Sequence, residues 1–207
     1  MTPPPLDAPE RTQPIQQSPL WLAIWAAADK ALPVFYGVAI ILIAVKALSK
    51  DEWGAWTIFS VIFMVISLVG DFFVLQPMVK IASEHAADPR PTITSGFLLY
   101  AALSIILAGG VVLFAEPLAA VVKTPEAVPS FRWMLWIVLA NVVRSHAIRV
   151  LQINYRIVGI FLVDLVYFAG LIGLMINGRS AATFTASTDL VWYNVLAFSA
   201  SSLLGFA

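Results

Sequence analysis

Long apolar stretches alternate with short polar joints along the chain, and the stretches have the lengths of helices that cross a bilayer. Six spans are expected, at 19–48, 53–74, 96–115, 131–153, 157–176 and 190–207. The first is broken only by Asp29 and Lys30, with Lys46 near its far end. At ~1.5 Å per residue it exceeds a ~30 Å hydrocarbon core, so its first turns, with Trp21 and Trp25, belong at headgroup level. Ser49-Lys50-Asp51-Glu52 reads as a capping box that opens the second helix, the Ser side chain accepting from a free N–H while the Glu reaches back. That helix is apolar as far as Gly70-Asp71 and gives way after Val74 to a polar joint containing Pro77, Lys80, Glu84, His85, Asp88 and Arg90. The third span is uninterrupted, and its Gly109-Gly110 pair suits close helix approach or a local bend. A loop over 116–130 follows, with Thr124 and Pro125 as N-cap and first residue of the next helix. The fourth span has an uncharged core, between Arg132 and Arg144, that is short for a crossing. Either Arg144 and Arg149 face a polar interior or the helix emerges early. The fifth contains Asp164 and is expected to stop at Asn177-Gly178. The sixth is apolar apart from Tyr193, Asn194 and its serines.

Composition sharpens this pattern into a class. The 207 residues are 60% hydrophobic and 12% charged, with a mean hydropathy of +0.89, whereas a soluble domain is about 45 to 50% apolar and about a quarter charged. The expected fold is all-α, a polytopic membrane bundle of about six transmembrane helices. Residues 1–18, proline-rich and polar, lack the pattern of a secretory signal and read as a disordered cytoplasmic tail. A formal net charge of zero gives no reason to expect a nucleic-acid partner. With no cysteine, and only His85 and His146 as imidazoles, neither a metal nor another cofactor is expected. If successive helices alternate direction, Arg11, Lys30, Lys80, Arg90, Arg144, Arg149 and Arg156 fall on one side, and Lys46, Lys50, Lys123, Arg132 and Arg179 on the other. The excess favours cytoplasmic termini in the inner (cytoplasmic) membrane. Reporter fusions after Arg90 and Arg156 should then read cytoplasmic, and those after Lys123 and Arg179 external.

Enzymatic readings find little to stand on, and no enzyme is expected. An intramembrane serine protease needs a histidine facing its serine, and the last two spans contain none. An aspartyl protease would pair Asp71 with Asp164, but Leu68 stands where a glycine is needed before Gly70-Asp71, and Val163 precedes the second aspartate. What remains is a set of ionisable groups in or near apolar helices: Asp29, Lys30, Asp71, Arg144, Arg149 and Asp164. A charge at the centre of a spanning helix costs roughly 2.5 to 3.5 kcal/mol, so these groups should face a wet cavity or one another. Transport is the common reason for that arrangement. Blander readings stand beside it: Lys30 and Arg149 snorkelling to headgroups, Asp164 hydrogen-bonding a neighbouring helix, and Asp71 serving a cap or turn after Gly70. The aromatic side chains read as interface anchors and lipid-facing filler.

The joint Ala47-Leu48-Ser49-Lys50-Asp51-Glu52-Trp53-Gly54 resembles the Leu-Ser-Pro-Glu-Glu-aromatic-Gly joint of polysaccharide transporters, with Lys50 at the common proline. These are the O-antigen type oligosaccharide flippases of the multidrug/oligosaccharidyl-lipid/polysaccharide exporter superfamily. The run from Leu68 through Gly70-Asp71 to Pro77 and Lys80 resembles that family's second-helix exit, with glycine and aspartate in reversed order. The resemblance implies one six-helix lobe, the amino-terminal half of a two-lobe exporter, completed by a second transmembrane bundle or by a copy of the chain. It also implies a polyprenyl-diphosphate-linked saccharide, carried by alternating access with its tail in membrane lipid. Lys30, Arg144 and Arg149 would meet the diphosphate, while Asp71 and Asp164 would bind a coupling ion or hold structure. A multidrug or small-molecule antiporter of the same superfamily, favouring acidic and aromatic cavity residues, and a non-transporting scaffold, in which every intramembrane charge pairs internally, are the competing classes.

Overall fold

Local sequence rules set the first helix boundaries. In the computed structural model, which describes residues 18–84 and 88–205, α1 (Pro19–Ala47) begins where Ser18 Oγ accepts from the backbone N–H of Trp21 at 3.2 Å. The expected tail over 1–17, with Arg11, lies outside the described residues, as do His85 and the last two residues of the sixth expected span. Ser49 likewise caps α2 (Lys50–Gly70), its Oγ accepting from Glu52 N at 3.2 Å. Only half of the expected capping box forms. The Glu52 carboxylate turns away from its own helix and accepts from Ser187 N at 2.6 Å, tying the start of α2 to the start of a much later helix.

The second helix does not end near Val74. It passes through a π-helical turn (Asp71–Leu75), where Gln76 N–H donates to the Asp71 carbonyl, and continues as α3 (Gln76–Glu84). Pro77 has no N–H and would crowd a regular helix, and the extra residue of a π-turn relieves that conflict. The predicted polar joint therefore contracts to the few residues before α4 (Arg90–Leu113).

The loop over 116–130 is also more ordered than expected, holding α5 (Ala115–Val121) and α6 (Ala127–Arg132). Thr124 is not an N-cap, since its hydroxyl donates to the Val122 carbonyl and α6 begins at Ala127. α7 (Met134–Ile153), α8 (Ile157–Ser180) and α9 (Ser187–Gly205) complete the bundle. α8 runs through Asn177-Gly178, because the buried Gly178 sits against Tyr193 and Phe184, where a Cβ would collide. Its real stop is Ala182 at φ 54°, with Thr183 N–H reaching back to the Gly178 carbonyl. The same left-handed closure recurs at Lys123 (φ 55°) and Tyr155 (φ 54°), three αL caps formed without glycine.

Among the described residues, five helical stretches are long and apolar enough to cross a membrane: Ala23–Ala47, Lys50–Glu84, Arg90–Leu113, Met134–Ile153 and Ile157–Ser180. The chain is an all-α polytopic bundle with a multi-pass membrane character. α9, the sixth expected span, is not among the five, and it packs against both α7 and α8. Its polar atoms are satisfied inside the bundle. Ser201 and Ser202 donate to the Phe198 carbonyl, and Asn194 donates to the Leu190 carbonyl at 2.7 Å while accepting from Tyr167 Oη at 2.7 Å. α1 lies along α8, and α4 along α7. α1 and α2 are joined by a two-residue link yet barely touch, and the space between them becomes the site.

Close approach is managed by glycines other than the expected pair. A Cβ at Gly109 or Gly110 would meet nothing, whereas one at Gly70 would strike the ring of Tyr100, and one at Gly96 the side chain of Met78.

Candidate functional site: a charged cavity between the helices

A cavity of about 940 Å³ opens between α1 and α8 on one side and α2 and α7 on the other, with Phe198 of α9 and Tyr100 of α4 also in its wall. Its lining follows helical spacing. α7 contributes Asn141, Arg144, Ser145, Ile148, Arg149 and Gln152, which fall on one stripe of a 3.6-residue helix. α1 contributes Asp29, Lys30, Pro33 and Tyr36, and α8 contributes Ile160, Asp164, Tyr167 and Phe168, again with three- and four-residue steps. Each helix thus turns a polar or aromatic stripe inward and an apolar remainder outward, the reverse of a soluble bundle.

Lys30, Arg144, Arg149, Asp71 and Asp164, which were singled out in the sequence from different spans, all line this cavity, and Asp29 joins them. They are not free charges. Arg144 pairs with Asp164 across α7 and α8, both side chains largely buried, and its guanidinium lies 4.6 Å from the Tyr167 ring centroid and 5.5 Å from that of Phe198. Arg149 pairs with Asp71 on the π-turn through both Nε and Nη2, and Nη1 donates to Gln152 Oε1 at 2.7 Å. Lys30 Nζ lies 3.1 Å from Asp29 Oδ2, with Lys30 85% exposed and Asp29 only 10% exposed at the side chain. Of the two expectations for the fourth span, the polar interior is the one realised.

The blander readings divide accordingly. Asp164 does bond a neighbouring helix, and Asp71 sits on a turn that its own carbonyl helps to close. Arg149 is held by Asp71 and Gln152, which leaves a headgroup no need to satisfy it. Arg156 does not continue the Arg149 face, because the turn at Asn154 and Tyr155 separates α7 from α8. His146 faces away from the cavity and packs its ring 4.7 Å from that of Phe97, with Nδ1 unpartnered. Among the described residues no group of three His, Asp or Glu side chains is placed to hold a metal ion.

Reading charges alone missed the neutral half of the lining. Ser67 of α2 accepts from Asn141 Nδ2 of α7 at 3.2 Å, and Tyr167 and Phe198 stack at 4.4 Å beneath Arg144. The signal was present in α7, where Asn141, Arg144, Ser145, Arg149 and Gln152 recur at helical intervals.

Fold and cavity together define a class: a multi-pass helical membrane protein with paired charges and aromatic rings lining a chamber among its helices. No family model matches the chain, and neither a curated protein nor a solved structure does.

Proposed function

We propose that the chain is the substrate-binding bundle of a transporter that moves lipid-linked oligosaccharide or polysaccharide precursors across the cytoplasmic membrane, with its amino terminus cytoplasmic. The observation that carries this reading is the convergence of Lys30, Arg144 and Arg149 on one chamber of about 940 Å³. A cavity whose wall combines guanidinium and ammonium groups with apolar and aromatic surface suits an amphipathic anion. The Lys30 ammonium, 85% exposed, is the cation most open to a diphosphate. Arg149, with its side chain a quarter exposed, would exchange part of its bond to Asp71 for phosphate oxygens, which guanidinium groups bind in paired geometry. A second transmembrane bundle, from the same or another chain, would close the chamber's far side during alternating access. The reading agrees with the sequence resemblance to polysaccharide transporters.

A small-molecule antiporter is the second reading, favoured by the three aspartates in the same wall and by Tyr36, Tyr100 and Tyr167. Binding to the full chain in lipid nanodiscs separates the two. A polyprenyl-diphosphate oligosaccharide should bind at least tenfold more tightly than the matching polyprenyl alcohol, and Lys30→Gln should remove most of that preference. Preference for a lipophilic cation would favour the antiporter. Binding of neither, with the protein folded, would leave a scaffold.

A further inference from the structure

The turn between α7 and α8 carries an arginine that the chamber does not use. Among the described residues the ion pairs are Lys30–Asp29, Arg132–Glu116, Arg144–Asp164 and Arg149–Asp71, and Arg156 belongs to none of them. Arg156 lines a second space, a groove of about 530 Å³ formed by the end of α7, the start of α8 and the end of α9. Leu151 and Val163 of this wall are buried, whereas Leu162 and Leu204, 45% and 46% exposed, leave the groove open along its rims. Arg156 is the one charged residue of the wall. Asn154 is committed to the helix it ends, its side-chain amide donating to the Val150 carbonyl at 2.8 Å. Because Arg156 stands at the N-terminus of α8, where the chain turns between two stretches long enough to cross a bilayer, its cation belongs at headgroup depth and the apolar rims below it in hydrocarbon.

We infer that this groove seats a phospholipid of net negative charge, its phosphate on the Arg156 guanidinium and an acyl chain along Leu162 and Leu204. A guanidinium holds phosphate oxygens through paired N–H donors, which gives the headgroup a fixed place as well as a charge. The lack of a carboxylate in the wall sets the preference. An amine-bearing headgroup would bring a second cation up to Arg156 with no anion of the protein to receive it, whereas phosphatidylglycerol brings a phosphate alone. Arg132, at the other end of α7, supplies the contrast: Glu116 lies 2.9 Å away and already answers its charge. Free phosphate would use the arginine and leave the apolar rims uncovered, so a lipid is the ligand that matches both halves of the groove. A lipid held there would tie the α7–α8 turn and the end of α9 to one leaflet. The inference is independent of what the chamber carries and of which way the bundle faces.

Fluorescence quenching of the full chain in nanodiscs tests it. The chain has no cysteine, so Leu162→Cys places a single fluorophore on the groove rim, and Leu98→Cys places one on α4, where Leu98 is 62% exposed. Nanodiscs of phosphatidylcholine receive the same small fraction of lipid with brominated acyl chains, bearing either a phosphatidylglycerol or a phosphatidylcholine headgroup. At position 162 the phosphatidylglycerol should quench as if about fivefold more concentrated than the phosphatidylcholine, the scale of one basic residue at an anionic surface, while the two should quench alike at position 98. Arg156→Gln, a change at an exposed residue, should equalise the two lipids at position 162, and Arg132→Gln should leave the preference intact. Should the label itself fill the groove, native mass spectrometry of the unlabelled chain from mixed micelles decides, with phosphatidylglycerol retained over phosphatidylcholine by the parent and not by Arg156→Gln. No preference in the parent, or one that survives Arg156→Gln, would overturn the lipid site while leaving the transport reading untouched.

Discussion

α1 and α9 are both single long helices of the same bundle, and their polarity is distributed in opposite ways. α1 carries large apolar side chains on most of its surface, with Leu20 72% and Phe35 70% exposed. α9 packs along α7 and α8 and buries Ser187, Asn194, Ser201 and Ser202 on that side, while Leu196 and Leu203 stay exposed on the other. In water this would be an inverted protein. In a bilayer it is the stable arrangement, since lipid accepts exposed Leu and Phe freely, while polar atoms must find partners inside the protein. The lesson extends to the charges: Asp29, Lys30, Asp71, Arg144, Arg149 and Asp164 all line one cavity, and the outer faces of the same helices are apolar.

The comparison can be broken most severely at the interior charges. Asp164→Ala would leave Arg144 largely buried without its partner, and should cost on the order of 3–5 kcal/mol in reversible unfolding from detergent micelles. Adding Arg144→Ala should recover part of that loss. Asp71→Ala should cost less, about 1–2 kcal/mol, because the Arg149 and Asp71 side chains are each 25% exposed and water can replace part of the pair. Equal losses for Asp164 and Asp71 would contradict the difference in burial. Next comes close packing. Gly70→Val should drive a methyl-bearing side chain into the Tyr100 ring, itself 1% exposed, at roughly 3 kcal/mol, whereas Gly109→Val, facing open space, should be nearly silent in the same assay.

Smaller effects separate α9 from α1 directly. Asn194→Leu makes α9 more apolar and better suited to lipid, yet should destabilise by about 1–3 kcal/mol, because the buried Tyr167 hydroxyl loses its acceptor. Phe35→Leu on the outer face of α1 should change stability by under about 0.5 kcal/mol. If the Asn194 variant were the more stable, the buried polar contacts of α9 would not hold it to the bundle and the comparison would fail.

The bundle was legible in the sequence because apolar length is a direct readout of the bilayer. Five of the six expected stretches meet the requirement for crossing. The sixth is apolar on average through Leu190, Val191, Leu203 and Leu204, and the side it packs against the bundle shows only in the contacts of Asn194 and the serines. Helix ends were harder to place. Pro77 and Gly178 are breakers in isolation, but a π-turn absorbs the first and a close contact with Tyr193 explains the second. The cavity residues were legible as charges too costly to face lipid. Their pairings were not, since Arg144 with Asp164 and Arg149 with Asp71 bring together positions 20 and 78 residues apart. The Glu52 bond to Ser187, across 135 residues, is of the same kind: local grammar predicted a capping box, and tertiary packing reassigned its carboxylate.

The central claim is that a water-accessible chamber lies among α1, α2, α7 and α8 while the outer faces of those helices meet lipid. The chain has no cysteine, so single replacements can be read without background. The decisive measurement is the rate at which a charged, membrane-impermeant thiol reagent modifies the chain in proteoliposomes, with Ser67→Cys and Ser145→Cys reporting the cavity and Phe35→Cys and Leu42→Cys the outer face of α1. Both serine positions should react at least tenfold faster than both outer positions. Inert cavity positions in folded protein, or faster modification at Phe35 and Leu42, would contradict it.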